Sequence, residues 1–284
     1  LLMNFDIDAI IPTLGNKNLS KTVFHLNSGF VKPKKIIVCY IKKKKFFLIL
    51  KKKNKNLFFI KAKKKGQVHQ RKQAFLKSTN KIILQIDDDV SVKTNTLKYL
   101  KKSLLNKGQG HVIGPVYLNK INKESIHKIK RKFQFLFDVL HYFFCGAKFG
   151  YAKSGSLTSI LINYGIDNSI KTKSNTLETD WLPGGCIISY RDDFITNPNF
   201  PFKGKAYCED IFYSIIRKKK NINHFVCKKA LVEIDLPYNN FFDFFKELRI
   251  RYFLIKKFRY GNIPRFCIWV LYSFFIKLVT ISRY

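Results

Sequence analysis

Three aspartates follow directly on a run of apolar residues in the stretch KIILQIDDDV, residues 81–90. The chain carries 54 Lys and Arg against 18 Asp and Glu, so three adjacent carboxylates are a local exception. Unit charges about 4 Å apart interact by roughly 4 kcal/mol near a protein surface, and something must offset that repulsion. Hard cations such as Mg²⁺ are held by one or two carboxylates together with substrate phosphates. The stretch therefore predicts a site for a cation and a phosphate group.

A strand ending at this point would put Asp87, Asp88 and Asp89 at the edge of an open α/β sheet where ligands bind. Since side chains alternate along a strand, Asp87 and Asp89 lie on one side and Asp88 points elsewhere. That separation suits joint contact with a metal-bound diphosphate and its ribose. The structural alternative is a turn followed by a helix N-cap, because Asp is favoured at both.

The periodicity of apolar residues predicts the elements that must position these carboxylates. A strand at Ile7–Ile11 is stopped by Pro12 and Gly15, and a helix at 18–28 and a strand at 34–41 follow. This order is typical of parallel strands with a right-handed crossover. Residues 42–65 alternate Lys runs with apolar bursts and fit edge strands or one helix face equally. The remaining predictions are helices at 67–78, 94–105 and 208–220, a helical segment within 120–150, a loop over 151–180, and strands at 81–87, 111–118, 184–190 and 223–234, the last being one strand or a pair.

Residues 237–284 have a different character and are predicted to form a C-terminal helical tail. Residues 241–260 combine a wide apolar face with Lys and Arg, and residues 265–281 are nearly continuous apolar sequence. The latter stretch is interrupted by Lys277 and is shorter than the ~20 apolar residues that span a bilayer. An amphipathic tail lying in a membrane interface fits better than a spanning helix.

Composition limits the remaining possibilities. Hydrophobic residues make up 46% of the chain, which predicts a folded protein despite the formal charge of +36. That charge favours phosphates, anionic lipid or nucleic acid without choosing among them. The six cysteines form no C-x-x-C pair, which indicates a reducing compartment, and the N-terminal residues lack the pattern of a secretory signal.

An ordered series of segments resembles the family 2 glycosyltransferases. The segments are AIIPTLGN, GQVHQRKQAFLKS, IILQIDDDV, WLPGGCIISYR and YCEDIFYS, and the resemblance covers about residues 5–236. It implies a GT-A type fold, an α/β domain over residues 1–236 with a single Rossmann-like, mostly parallel sheet flanked by helices. It also implies an inverting enzyme that moves a sugar from a nucleoside-diphosphate sugar to a hydroxyl group.

The resemblance assigns roles to particular residues. Pro12 and Thr13 meet the nucleotide, and Gln70 and Arg71 lie beside the donor. The D-x-D stretch binds the donor and Mg²⁺ or Mn²⁺, with Asp87 and Asp89 as metal ligands. For the acceptor, Asp210 would be the catalytic base and Glu209 would touch the acceptor. The acceptor-side residues are Trp181, Gly184 and Gly185.

Each assignment has a structural alternative. The acidic pair at 209 and 210 is also favoured in the first turn of any helix. The glycine pair suits an ordinary turn, Trp181 suits a core, and the pair at 70 and 71 suits a solvated helix face. In two places the sequence departs from the family. No acidic residue ends the second strand. Glu233, with Asp235 nearby, stands where the family often has a metal-binding His, and Glu233 is the predicted third metal ligand, with Asp235 as the alternative oxygen ligand.

The predicted function is therefore a metal-dependent transferase for cell-surface polysaccharide synthesis. It would act on a glycan or lipid-linked acceptor while peripheral to the inner face of the membrane in the cytoplasm, without binding nucleic acid. Two other classes remain open. A nucleotidyltransferase also uses a doubly wound sheet and carboxylate-bound metal, although IPTLGNKN holds only one glycine. A basic nucleic-acid-binding protein would explain the charge but not the carboxylates.

Overall fold

The computed structural model describes residues 5–127, 134–167, 170–171, 173–196, 200–202, 206–235 and 241–281. Nine strands of this part of the chain form one sheet. Their bounds are β1 Ile7–Thr13, β2 Lys35–Tyr40, β3 Leu57–Lys61, β4 Ile82–Ile86, β5 Ser91–Val92, β6 His111–Asn119, β7 Thr176–Thr179, β8 Cys186–Tyr190 and β9 Asn223–Ile234. The helices are α1 Leu19–Ser28, α2 Lys45–Lys53, α3 Gln67–Lys77, α4 Thr96–Lys107, α5 Gln134–Cys145, α6 Glu209–Lys219, α7 Phe241–Phe258 and α8 Ile263–Ile281.

The sheet runs in the order β3-β2-β1-β4-β8-β6-β9-β5, with β7 paired to β9. The ladders β3-β2-β1-β4 and β6-β9 are parallel, and β8 is antiparallel to both β4 and β6. The strand-helix-strand connections bring the carboxyl ends of β1, β2 and β4 to one edge of the sheet. This edge carries Thr13 and the three aspartates.

The first strand is longer than predicted. It continues through Pro12, which pairs in register with Cys39 of β2. The pairing with β4 ends earlier, at Ile10 and Gln85. Since Pro12 has a neighbour on one side only, its missing N–H group is tolerated, as at an edge strand.

Residues 42–65, which fitted either structure in the sequence, form both a helix and a strand. Phe47 of α2 stacks on Phe59 of β3 with ring centroids 4.6 Å apart, and its edge meets Tyr40 of β2 at 5.4 Å. The lysines of this region are mostly exposed. The packing of the Phe47 ring on β2 and β3 therefore decides which part of this Lys-rich segment is helix and which part is strand.

Two compact units are present. One, the sheet unit, comprises Leu1–Ile126 with Lys171–Leu236, and the other, the helical unit, comprises His127–Ile170 with Pro237–Tyr284. The helical unit thus joins the predicted tail to residues that the sequence had placed in the first domain. Among the described residues, no helix has the length and apolar character needed to cross a membrane.

Candidate active site

The ends of β1 and β2 are tied together by a buried side chain from α3. Gln70 donates hydrogen bonds from Nε2 to the carbonyl oxygen of Thr13 (2.8 Å) and to that of Cys39 (2.7 Å). Thr13 in turn donates from Oγ1 to the carboxylate of Asp88. The predicted donor residues Thr13 and Gln70 are therefore one hydrogen-bonded group, and Asp88 points toward β1.

Arg71 connects the two acidic segments. Its Nη2 donates to Oδ1 of Asp87 at 2.7 Å, and its Nη1 donates to Oε1 of Glu209. The side chain is only 5% exposed and Glu209 is 6% exposed. A planar guanidinium can serve two carboxylates at once because its donors form a rigid fork. One buried cation thus holds the end of β4 against the first turn of α6.

The glycine pair lies in the narrow space between these carboxylates. A Cβ atom on Gly184 would stand 3.1 Å from Oε1 of Glu209, and one on Gly185 would stand 3.4 Å from Oδ2 of Asp87. Gly185 also accepts a hydrogen bond from the backbone N–H of Asp87 at 2.9 Å. The pair is therefore more than an ordinary turn, because side chains here would crowd both acidic segments.

Burial sets the protonation behaviour of the group. It raises the pKa of Glu209, and the positive charge of Arg71 opposes that rise. Burial alone would lower the pKa of Arg71, but the carboxylates of Asp87 and Glu209 outweigh it and raise the pKa overall. Burial also raises the pKa of Asp88 to about 6, against a lowering by its hydrogen bond with Thr13. The cluster therefore combines two carboxyl groups with raised pKa values, Asp88 and Glu209, with a guanidinium, Arg71, that stays charged.

Asp210 follows Glu209 in the first turn of α6 and is half-buried. Its Oδ1 accepts a hydrogen bond from the backbone N–H of Ile211 at 2.9 Å. The preceding residue, Cys208, has a left-handed φ of 53°, which turns the chain sharply into the helix. The positive end of the helix dipole interacts favourably with an acidic side chain in this turn. A carboxylate side chain is one of the groups that can act as a general base.

The carboxylates at the end of β4 are the predicted ligands for Mg²⁺ or Mn²⁺. Within the described ranges, no group of three or more His, Cys, Asp or Glu side chains has the arrangement of a metal site. Asp89 is exposed and Asp87 keeps Oδ2 beside the glycine pair. Two carboxylates suffice for a cation that takes its other ligands from substrate phosphates and water. The donor set therefore fits a metal that arrives with a phosphate-containing substrate.

Glu233 is placed differently from its predicted role as a metal ligand. It lies on β9 opposite Ser91, just beyond the aspartates, but one oxygen pairs with Lys93 and the other with Lys123 at 3.0 Å. Burial would raise its pKa, but the two lysines outweigh burial and lower it. Both oxygens are paired with lysines in this structure, and metal binding by Glu233 stays a prediction.

Asp235 follows directly after the end of β9. It pairs with Lys120 at 2.7 Å, and Lys120 also donates to the backbone carbonyl of Asp89 at 3.3 Å.

Trp181 is buried, which matches its structural alternative as a core residue. Its carbonyl accepts a hydrogen bond from Thr179 at 2.9 Å.

Four further residues of the site carry no motif in the sequence. Gln67 donates to Oδ1 of Asp87 at 2.9 Å, and Gln85 donates to the carbonyl of Gly184 at 2.6 Å. Tyr117 places its hydroxyl beside the glycine pair, and Arg217 lines a cavity of about 20 Å³ with Arg71 and Glu209. Gln67 has one readable signal, since it stands one turn before Arg71 on the same helix. The others depend on strand pairing and helix packing.

No protein-family model matches the sequence, and a search of curated proteins gives no match. Solved structures do match. A crystal structure of GalNAc-T7 with UDP, GalNAc and Mn²⁺ aligns with a TM-score of 0.60 at 12% identity, covering 83% of this chain and 44% of that one. The crystal structure of S. aureus TarS aligns with a TM-score of 0.50 at 15% identity, covering 87% of this chain and 39% of that one. The chain thus spans less than half the length of either structure.

Both matched structures are glycosyltransferases of the GT-A type. The architecture of this chain is a mixed α/β sheet flanked by helices, and the predicted GT-A type fold is confirmed. At these identities the likeness establishes the fold alone. Membership of family 2 stays a prediction.

Proposed function

We propose that the protein is an inverting glycosyltransferase that moves a sugar from a nucleoside-diphosphate sugar to a hydroxyl group of a glycan or lipid-linked acceptor. The observation that carries the proposal is the double contact of Arg71 with Asp87 and Glu209. It holds the end of β4, which carries the predicted donor-side aspartates, beside the first turn of α6, which carries the predicted acceptor-side acidic pair. The GT-A type fold supports the same reaction class, and the Mn²⁺ and UDP in the GalNAc-T7 crystal support a metal-dependent nucleotide-sugar donor.

The chain's own residues have distinct tasks in this reaction. Asp87 and Asp89 would hold a divalent cation, which when bound neutralises charge developing on the diphosphate leaving group. Asp210 takes the proton of the acceptor hydroxyl, whose oxygen forms a bond to the anomeric carbon. The bond from that carbon to the diphosphate oxygen breaks, and its electron pair leaves with the nucleoside diphosphate. One displacement inverts the anomeric centre.

The acceptor contact of Glu209 stays a prediction. Its burial and its ion pair with Arg71 support a positioning role as well, in which Glu209 orients Asp210 in the first turn of α6. The nucleotide would bind at the end of β1, against Pro12, Thr13 and Gln70. We further propose that the enzyme works in cell-surface polysaccharide synthesis, in the cytoplasm, peripheral to the inner face of the membrane.

The test is a screen of nucleotide sugars for metal-dependent release of nucleoside diphosphate. Asp210→Asn should lower kcat by about 100- to 10,000-fold, the usual contribution of a general base. It should keep the thermal stabilisation produced by the donor with Mn²⁺, whereas Asp89→Ala should lose it. Asp192→Asn changes an exposed carboxylate outside the site and is the matched control.

The products separate the proposal from its rival. Release of a nucleoside diphosphate with an inverted sugar linkage supports glycosyl transfer. Release of pyrophosphate from a nucleoside triphosphate would establish the nucleotidyltransferase instead. Full activity of Asp210→Asn would remove the proposed base.

A further inference from the structure

The helix α5 in the helical unit buries its charged side chain and exposes apolar side chains. Its one formally charged residue, Asp138, is buried and pairs with the buried Lys153 at 2.6 Å. Residues spaced i, i+3, i+4 and i+7 make one apolar stripe, and they are Leu136, Val139, Leu140 and Phe143. Leu136 is 56% exposed and Phe143 is 66% exposed. A helix at an aqueous surface normally has the opposite arrangement, with charge outward and the apolar stripe against the core.

The helix α8 also presents an exposed apolar stripe over its described side chains. Ile268, Leu271 and Phe275 follow helical spacing, and Leu271 and Phe275 are 71% and 64% exposed. The opposite side of α8 carries Phe266, which is buried. Tyr272, next to the exposed stripe, stacks on Phe144 of α5 with ring centroids 4.4 Å apart. Two helices that contact each other thus each present apolar side chains outward.

The charge of the helical unit indicates what covers these stripes. Residues 134–167 and 241–281 contain ten Lys and Arg against four Asp and Glu. A second copy of the same surface would bring this positive excess against itself. A bilayer surface that contains anionic lipid offers both an apolar layer for the stripes and negative charge for the lysines and arginines.

We propose that α5 and α8 together form a membrane-binding surface whose exposed apolar stripes enter the interface of an anionic bilayer. We call this surface the α5–α8 face, defined by Leu136, Phe143, Leu271 and Phe275. The inference goes beyond the proposed glycosyl transfer and does not depend on it. It also goes beyond attachment by the C-terminal tail, because half of the face comes from a helix that precedes the glycine pair in the chain.

The main experiment measures sedimentation of the full chain with vesicles. One set is pure phosphatidylcholine and the other also contains phosphatidylglycerol. The paired changes Leu136→Ser with Phe143→Ser, and Leu271→Ser with Phe275→Ser, should each weaken the partition onto anionic vesicles about tenfold, from the apolar area removed. Phe24→Ser with Phe30→Ser removes two equally exposed aromatic side chains from the sheet unit and should leave binding unchanged.

A label provides a second measurement that needs no large change in sequence. Cys267 lies on α8 and is the exposed cysteine, while the other five are buried or half-buried. A polarity-sensitive dye on Cys267, and one on Phe143→Cys, should both shift to the blue with anionic vesicles. Catalysis is not needed for either measurement, so failure here is distinguishable from failure of the proposed reaction.

Several results would overturn the proposal. Unchanged binding by the α5 pair, or a dye at residue 143 that stays in water on vesicle addition, would remove α5 from the surface. Equal binding to neutral vesicles would remove the role of charge. A stable dimer that the serine changes convert to monomer, without vesicle binding by the original chain, would assign the face to self-association.

Discussion

Replacing Arg71 with Met removes the cation that joins Asp87 to Glu209. Methionine has a similar length and keeps the apolar contacts of the stem, so the change mainly deletes charge and donors. Glu209 would then be a buried carboxylate without its ion-pair partner, and Asp87 would keep the hydrogen bond that Gln67 donates to its Oδ1 at 2.9 Å. The variant therefore measures what the connection between the two acidic segments contributes.

Breaking a buried ion pair by removing one partner costs about 3–5 kcal/mol, because the remaining charge is left uncompensated. For a protein of this size each kcal/mol lowers Tm by about 2–4 °C. Arg71→Met should therefore lower the free energy of unfolding by about 3–5 kcal/mol and Tm by about 6–20 °C. The exposed Arg249→Met is the matched control and should change stability by less than about 0.5 kcal/mol.

Urea unfolding of four proteins tests the interaction itself. The set is the original chain, Arg71→Met, Glu209→Gln and the double variant. Since the two side chains contact each other directly, the double change should cost about 1–3 kcal/mol less than the sum of the single changes. Strictly additive costs would show that the contact contributes nothing and would refute the reasoning.

The pH dependence of Arg71→Met follows from the pKa of Glu209. Burial already raises that pKa, and Arg71 is the main opposing influence. Without Arg71 the folded-state pKa rises further above the unfolded value. A carboxyl with a raised folded pKa loses stability as pH rises through that value. The deficit of Arg71→Met should therefore be largest at neutral pH and shrink as pH falls, and a constant deficit would contradict this account.

Three further predictions concern neighbouring features. Gly184→Ala places a Cβ 3.1 Å from Oε1 of Glu209 and should lower kcat/KM about tenfold or more with intact donor binding, as measured by steady-state kinetics and thermal shift. Gln70→Ala removes the hydrogen bonds to the carbonyl oxygens of Thr13 and Cys39. It should lower the free energy of unfolding by about 2–4 kcal/mol, as measured by urea unfolding. Burial lowers the pKa of His224 to about 3, so stability is lost as pH falls below about 6.5. His224→Leu should flatten acid unfolding between about pH 6.5 and 4, and an unchanged acid transition would count against it.

Much of the fold was readable from local pattern. The strand that ends at the aspartates, the helix at 67–78 and the helix that starts at Glu209 were predicted close to their observed bounds. In each, apolar periodicity and end signals agree, so local preference and packing favour the same structure. The segment 42–65 was not readable, because its lysines are compatible with either structure. Contacts of Phe47 with two strands decided it.

The sequence also did not predict which residues belong to the sheet unit and which to the helical unit. Residues 134–145 read as a helix that is apolar on nearly every side, which gives no direction to its packing. The buried pair of Asp138 with Lys153 turns one side inward and leaves Leu136 and Phe143 exposed. Leaving the buried carboxylate of Asp138 without a counter-charge would cost more free energy than leaving the apolar side chains exposed.

The sequence by itself determined which residues could do the chemistry, because residue type and strand position are local properties. It assigned Asp87, Asp89 and Asp210 to one reaction through the resemblance to a family. Only the tertiary structure decided how the acidic segments are held together, since Arg71 and Glu209 are 138 positions apart. Such a contact depends on the crossing of α3, β4, β8 and α6 at one sheet edge, and no pattern of neighbouring residues encodes it. The same reason explains why Glu233, plausible by type, pairs with two lysines.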